Sequence, residues 1–174
     1  MSITGEELSF EELYNEIFPL VYKVSLNITG DVAASEDICQ EAFIKYYNRP
    51  AGLPTKDDAK YWLIRVVKNM SFNYSKRESR KKVVFEKIKH DPVSTDETGE
   101  KELLRNETKR KVNELLSLLP EKLRAPLVLR EFGNLNYKEI GKVLGISESN
   151  VKVRIFRARE SLQKMIDRGD IYVS

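Results

Sequence analysis

One stretch leaves this chain few choices of fold. From Tyr61 to Lys82 it reads YWLIRVVKNMSFNYSKRESRKK, and on a helix those residues sort by angle. Leu63, Val66, Val67, Met70 and Tyr74 recur at the spacing of one buried stripe. The opposite face collects Trp62, Arg65, Asn69, Phe72, Asn73, Lys76 and Arg80. A solvated face normally carries lysine and glutamate, so ring systems set among cations and amides need a reason. A single-stranded nucleic acid supplies one: rings stack on bases, cations meet phosphates and amides meet base edges. An ordinary amphipathic helix with a basic end has the same spacing, and the rest of the chain must decide between the two.

At 174 residues, 41% hydrophobic and 33% charged, the chain has room for one ordinary domain or two small ones, soluble and rich in helix. No apolar run approaches the ~20 residues of a membrane span, and Met1 to Phe10 contains no secretory signal. The one cysteine, Cys39, excludes an internal disulfide, and with His90 the one histidine no His/Cys metal site of familiar spacing can be assembled. Cys39 lies in DICQEAF and reads as a small buried hydrophobe. These features fit the cytoplasm. The net charge of +3 matters less than its arrangement, which is −6 over 1–60, +7 over 61–90, −3 over 91–121 and +5 over 122–174. Two basic blocks separated by acidic ones mark two places where a polyanion is held, and the acidic first third must face something else.

Ser9-Phe10-Glu11-Glu12 has the spacing of a capping box. An apolar stripe then runs through Leu13, Ile17, Leu20, Val21, Val24 and Ile28 to Gly30, a helix stop. Pro19 interrupts it and predicts a kink or a break near Phe18. A second helix is expected over Val32 to Asn48, with Glu36, Asp37, Gln40 and Glu41 on its outer side. Pro50, Gly52 and Pro54 mark a loop, and the central helix is expected from about Asp58. Periodicity fades after Val84, and HDPVSTDETG has the composition of a polar linker. It resumes at Leu103 and Leu104 and continues through Val112, Leu115, Leu116 and Leu119 to Pro120. EKLRAPLVLREF forms a further helix, with Pro126 expected to bend it. The fold class is all-α: two small helical domains, 1–83 and 103–174, joined by a flexible linker at 84–102.

In the second domain Asn136-Tyr137-Lys138-Glu139 is another capping box, opening a short helix through Leu144. Gly145 can take a left-handed turn, Ile146 anchors it, and Ser147 can cap the next helix. Val151, Ile155, Ala158 and Leu162 form the buried side of that helix, while Ser149, Asn150, Lys152, Arg154, Phe156, Arg157 and Arg159 face outward. A short helix, a glycine turn and a longer basic helix make a helix-turn-helix whose second member can enter a major groove. Arginine and lysine there reach guanine edges, asparagine pairs with adenine, and the other cations hold phosphates. A helical hairpin with a solvated basic face would need none of this agreement among caps, turn and charge.

Put together, these segments resemble a bacterial RNA polymerase sigma factor of the extracytoplasmic-function group of the sigma-70 family, over nearly the whole chain. SEDICQEAFIKYY resembles the family's region two helix and YWLIRVVKNMSFNYSKR its promoter-melting helix. LPEKLRAPLVLREFGNLNYKEIGKVLGISESNVKVRIFRAR resembles region four. The chain lacks room for the additional domains of housekeeping sigma factors, which points to the smaller group.

The resemblance implies roles by position. Asp37, Gln40, Glu41 and Phe43 would dock on the clamp helices of the polymerase β′ subunit, which accounts for the acidic first third. Asn69 would help hold a base flipped out of the minus-ten element, with Trp62, Arg65, Phe72, Asn73, Lys76, Arg77 and Arg80 along the same DNA. The helix after Gly145 would read the minus-thirty-five element as duplex through Ser149, Asn150, Lys152, Arg154, Phe156, Arg157 and Arg159, and region four would also touch the β flap. Members of the group are commonly held by an anti-sigma factor. Two departures affect base preference. The loop NRPAGLPTKDD has no aromatic where many relatives place a phenylalanine, and Val153 stands where relatives often have a small polar residue.

The expected function is a detachable promoter-specificity subunit that binds core polymerase and promoter DNA, with no catalytic residue, cofactor or metal. In the free protein the acidic and basic blocks are expected to pack together and hide DNA-binding faces. The rival reading is a helix-turn-helix regulator that binds duplex operator without stable polymerase binding. A nuclease or recombinase would need Glu36, Asp37 and Glu41 as a metal cluster, whereas on one exposed helix they form a solvated or docking face.

Overall fold

Ser9 opens the first helix with both halves of its capping box in place: its Oγ accepts from the Glu12 amide at 3.2 Å, and the Glu12 carboxylate accepts from the Ser9 amide at 3.1 Å. The computed structural model describes residues 9–49, 51–85 and 100–169. These form α1 (Phe10–Thr29), α2 (Val32–Tyr47), α3 (Lys56–Phe85), α4 (Glu100–Ser117), α5 (Glu121–Glu131), α6 (Tyr137–Leu144) and α7 (Glu148–Asp167), with no strand among the described residues.

α1 does not break at Pro19 and runs unbroken to Gly30, which closes it in the left-handed conformation. The proline sits on the exposed side, while Leu13, Ile17, Val21, Val24 and Ile28 are buried on both sides of it. An interior proline costs about 3 kcal/mol, and each buried side chain of that size returns about 1.5–3 kcal/mol, so the stripe wins. α5 likewise continues through Pro126. Asp31 caps α2 through an acceptor bond from the Ala34 amide at 2.9 Å, and its other oxygen accepts from the Tyr74 hydroxyl of α3 at 2.9 Å. One carboxylate thus starts one helix and positions another. α3 begins two residues before the expected Asp58, because Thr55 exchanges hydrogen bonds with Asp58 across the first turn.

α1, α2 and α3 pack as one unit around Leu63, Val67, Phe43, Cys39 and the α1 stripe. Ser25 and Ser71 meet at 2.7 Å between α1 and α3, two sealed hydroxyls satisfying each other where small side chains let the helices approach. Cys39 is fully buried as expected, and burial pushes its thiol up to about 12.

α5, α6 and α7 pack into the second unit. Asn136 and Glu139 complete their capping box, Gly145 turns with φ 68°, and Ser147 accepts from the Asn150 amide at 3.1 Å to start α7. Gly141 was not singled out by the sequence, yet it fixes the turn. A Cβ there would lie 2.7 Å from the Ile146 carbonyl oxygen, so only glycine lets the chain fold back this closely.

The segment 84–102 read as linker is helical at both edges, since α3 extends to Phe85 and α4 starts at Glu100; residues 86–99 and His90 lie outside the described residues. The two units are packed together. Arg124 of α5 is buried and donates through Nη2 to the Asn27 and Ile28 carbonyls at 3.2 and 2.7 Å, in the last turn of α1. Arg65 of α3 donates through Nε and Nη2 to the Val143 and Lys142 carbonyls at 3.0 and 2.8 Å, in the last turn of α6. Each unit therefore supplies a guanidinium that satisfies orphan carbonyls at a helix C-terminus of the other, where the helix dipole favours a cation. Lys76 pairs with Glu121 at 2.7 Å across the same contact, and Tyr61 meets Glu139 at 3.4 Å. Gly133 fits against Val24 of α1, where an added Cβ would stand 3.3 Å from a valine methyl and 2.7 Å from the Leu129 oxygen.

Candidate nucleic-acid interface

α3 carries the first candidate face because helical phase turns Asn69, Asn73, Arg77 and Arg80 to solvent while Leu63 and Val67 go inward. Trp62 is half-buried at the upper end of this ridge, with the Tyr46 ring at 5.9 Å and the Arg49 guanidinium carbon 4.9 Å from its centroid. Arg49 opens the loop that follows α2, and its place beside Trp62 left no trace in the residue pattern. The indole is thus held as a fixed platform with a cation on it.

Three residues expected on this face are engaged by the second unit. Phe72 is only 4% exposed, with the Arg124 guanidinium 5.7 Å from its ring centroid, and does not face solvent as expected. The angular argument correctly set it off the Leu63 and Val67 stripe, but Arg124 of α5 stands over its ring, and Leu119 lines the same depression. Arg65 is held by α6 and Lys76 by Glu121. Lys68 lies half-buried in the same region, and its ammonium is pulled below the ordinary lysine range first by desolvation. Glu121 works against that shift, and Arg65 and Lys76 add to it.

The second face is α7. Val151, Ile155 and Ala158 bury against α5 and α6, leaving Ser149, Asn150, Lys152, Phe156, Arg157 and Arg159 exposed. Arg154 is half-buried and donates to the Asn150 side-chain oxygen at 3.1 Å, so the two act as one hydrogen-bonding pair. Arg159 is held to Glu131 of α5 at 2.8 Å. Lys152 stands 3.9 Å from Glu148, an exposed pair that competes little with a phosphate. Every residue assigned to this face lies on one helix, and its exposed side is not covered by the first unit.

α2 presents the acidic surface. Asp37, Gln40 and Glu41 are exposed, but Phe43 is 2% exposed and packs against Tyr14, Phe18 and Phe10 at ring distances of 4.8, 6.0 and 6.2 Å. It therefore cannot be a docking contact as expected. The reason was legible in the phase of the helix: Ser35, Ile38, Cys39, Ala42 and Phe43 form the inward stripe, while residues 37, 40, 41 and 44 point out. Ile44 and Tyr47, both exposed, supply the apolar surface beside the carboxylates.

A sigma-70 region 2 model matches residues 3–81, and a sigma-70 region 4 model matches residues 109–162. The chain is 31% identical to the RNA polymerase sigma-H factor of Pseudomonas aeruginosa, over 93% of this chain and 88% of that one. It is also 31% identical to the extracytoplasmic-function sigma factor SigM of Bacillus subtilis, over 93% of this chain and 98% of that one. The chain belongs to the extracytoplasmic-function sigma factors of the sigma-70 family. It is therefore a promoter-specificity subunit of RNA polymerase. Its fold is shared with the sigma factor RpoE of Bartonella quintana, solved in complex with the anti-sigma factor NepR, at a TM-score of 0.60 and 17% identity over 91% of this chain and 96% of that one. Within this family the α1–α3 unit is region 2 and the α4–α7 unit contains region 4. No described helix is long and apolar enough to cross a membrane.

Proposed function

We propose that this sigma factor performs no chemistry itself and directs initiation by dividing the work among the three faces described above. The outer face of α2 docks on core polymerase through Asp37, Gln40 and Glu41, with Ile44 and Tyr47 as the apolar part. The ridge of Trp62, Asn69, Asn73, Arg77 and Arg80 holds the minus-ten strand as it parts. α7 reads the minus-thirty-five element as duplex. The observation that supports this best is one chain carrying an amide-and-cation ridge on α3 and a separate, uncovered cationic helix on a glycine-built turn.

Flipping a base costs a few kcal/mol, and stacking on an aromatic platform returns about 1–3 kcal/mol. Trp62 therefore covers part of the cost of opening and the polymerase must supply the rest. Joining two modules in one chain raises the effective concentration of the second contact once the first has formed, so each can be weak. In the packed arrangement Arg65, Phe72 and Lys76 are engaged between the units. Full use of the α3 face requires the units to part, which makes the packed form the DNA-poor state of the free subunit. An anti-sigma factor that favours this form, of the kind bound to the Bartonella quintana protein, is the expected regulator. The site of action is the cytoplasm, where core polymerase and DNA meet.

Run-off transcription from a genomic library with core polymerase, with and without the chain, tests the reading. New start sites that share two elements at a fixed spacing are the expected result. Binding of duplex operator while core polymerase is left unbound would replace it with a helix-turn-helix regulator.

A further inference from the structure

The seam between the two units holds a depression of about 260 Å³ whose walls come from both of them. Ser75, Lys76 and Arg80 line it from α3, and Glu121 and Arg124 from α5. Three cations against one carboxylate leave this lining at +2. The carboxylate of Glu121 is taken by Lys76 at 2.7 Å, whereas Arg80 is exposed and makes no ion pair among the described residues. Arg124 is the decisive member. It is only 5% exposed and its Nη2 is spent on α1 carbonyls, yet its buried Nε has no acceptor among the described residues. A buried charged donor left short of a partner is rare in a folded protein and calls for an acceptor. Two further features favour a negative guest. α5 opens at Pro120, which gives its first amides no side-chain cap, and Glu121 is its first residue. Ser75 is half-buried with its hydroxyl unbonded among the described residues, whereas Ser79 and Ser117 spend theirs on the Ser75 and Glu114 carbonyls at 3.0 and 2.6 Å.

We infer that this depression binds a phosphate dianion, free or as the monoester of a small metabolite, and that the bound anion holds the two units together. A phosphate monoester carries about −1.5 to −2 charges at neutral pH, which matches the lining. Its oxygens accept from Arg80 and the Ser75 hydroxyl and supply the acceptor that Arg124 lacks. A DNA strand following α3 is excluded from the same place, because α5 forms the opposite wall. The inference rests on the packed arrangement being a state of the free subunit, as proposed above. Only that form has both walls, so the anion binds it in preference to the parted one and shifts the population toward the DNA-poor state.

The test titrates the full chain by calorimetry with inorganic phosphate and, separately, with adenosine monophosphate, at constant ionic strength against chloride. One anion bound per chain is expected. Binding of both assigns the site to phosphate itself, and binding of the nucleotide alone assigns it to an organic monoester. Arg80→Gln is expected to weaken binding roughly tenfold, the loss of one charge-assisted hydrogen bond. Arg124→Ala is expected to abolish it although Lys76 and Arg80 remain on α3. Binding that survives both substitutions unchanged lies elsewhere and overturns the inference. Energy transfer between dyes on α2 and α7 of the natural chain reports the packing independently. High transfer with no binding of either anion overturns the inference and leaves the packed state standing. Low transfer with and without anion overturns the reading of the packed state and the inference with it.

Discussion

Arg157 and Asn69 separate the two ways of meeting DNA proposed for this protein. Arg157 is exposed on α7, so Arg157→Ala is expected to weaken minus-thirty-five recognition by about 1–3 kcal/mol if it reads a guanine; competition binding with wild-type and altered duplex measures it. Asn69 is exposed on α3 and touches no duplex in the proposed arrangement. Asn69→Ala is expected to leave upstream duplex binding nearly intact and to lower open-complex formation, read by permanganate reactivity of promoter thymines. Normal reactivity would remove Asn69 from the site. Both residues were legible from sequence, because three- and four-residue spacing fixes which side chains share a face once a helix exists. Phe72 was not, because spacing tells which residues leave the first core but not whether a second one awaits them.

Among the elements, the turn between α6 and α7 depends most on one position. A helical glycine replaced by alanine ordinarily gains about 1 kcal/mol. At Gly141 the new Cβ would meet the Ile146 oxygen at 2.7 Å, and that carbonyl belongs to the turn itself. Gly141→Ala is therefore expected to destabilise the second unit by about 1–3 kcal/mol and to lower duplex affinity through misplacement of α7. A rise in melting temperature would show that the turn relaxes freely. On α2, Glu41→Ala is expected to reduce core polymerase binding a few-fold, in line with the ~0.2–1 kcal/mol of an exposed charge. Unchanged capture of core enzyme would contradict the docking assignment. The inward turn of Phe43 was readable from α2 alone, whereas the service of Asp31 to both α2 and α3 needed the packing of three helices.

At the scale of the whole molecule, Arg124 carries the contact between units. Burial pulls its guanidinium down to about 10, which still leaves it charged at neutral pH, and two α1 carbonyls offset the lost hydration. Its Nε is buried without a hydrogen-bond partner among the described residues, a desolvation cost that the two Nη2 bonds must outweigh. Arg124→Ala removes both bonds and the cover over Phe72. It is expected to separate the units, seen as lower energy transfer between dyes on α2 and α7, with helix content retained. A variant as closely packed as the natural chain would show that Arg65 and Lys76 suffice. Periodicity, caps and charge blocks determined the helices, the two units and the two basic faces, because those depend on neighbours within a turn or two of chain. The tertiary structure alone decided that Phe72, Arg65 and Lys76 are engaged and that Gly133 and Arg124 close the seam. Contacts between residues that lie far apart in the chain leave no periodic trace in either segment.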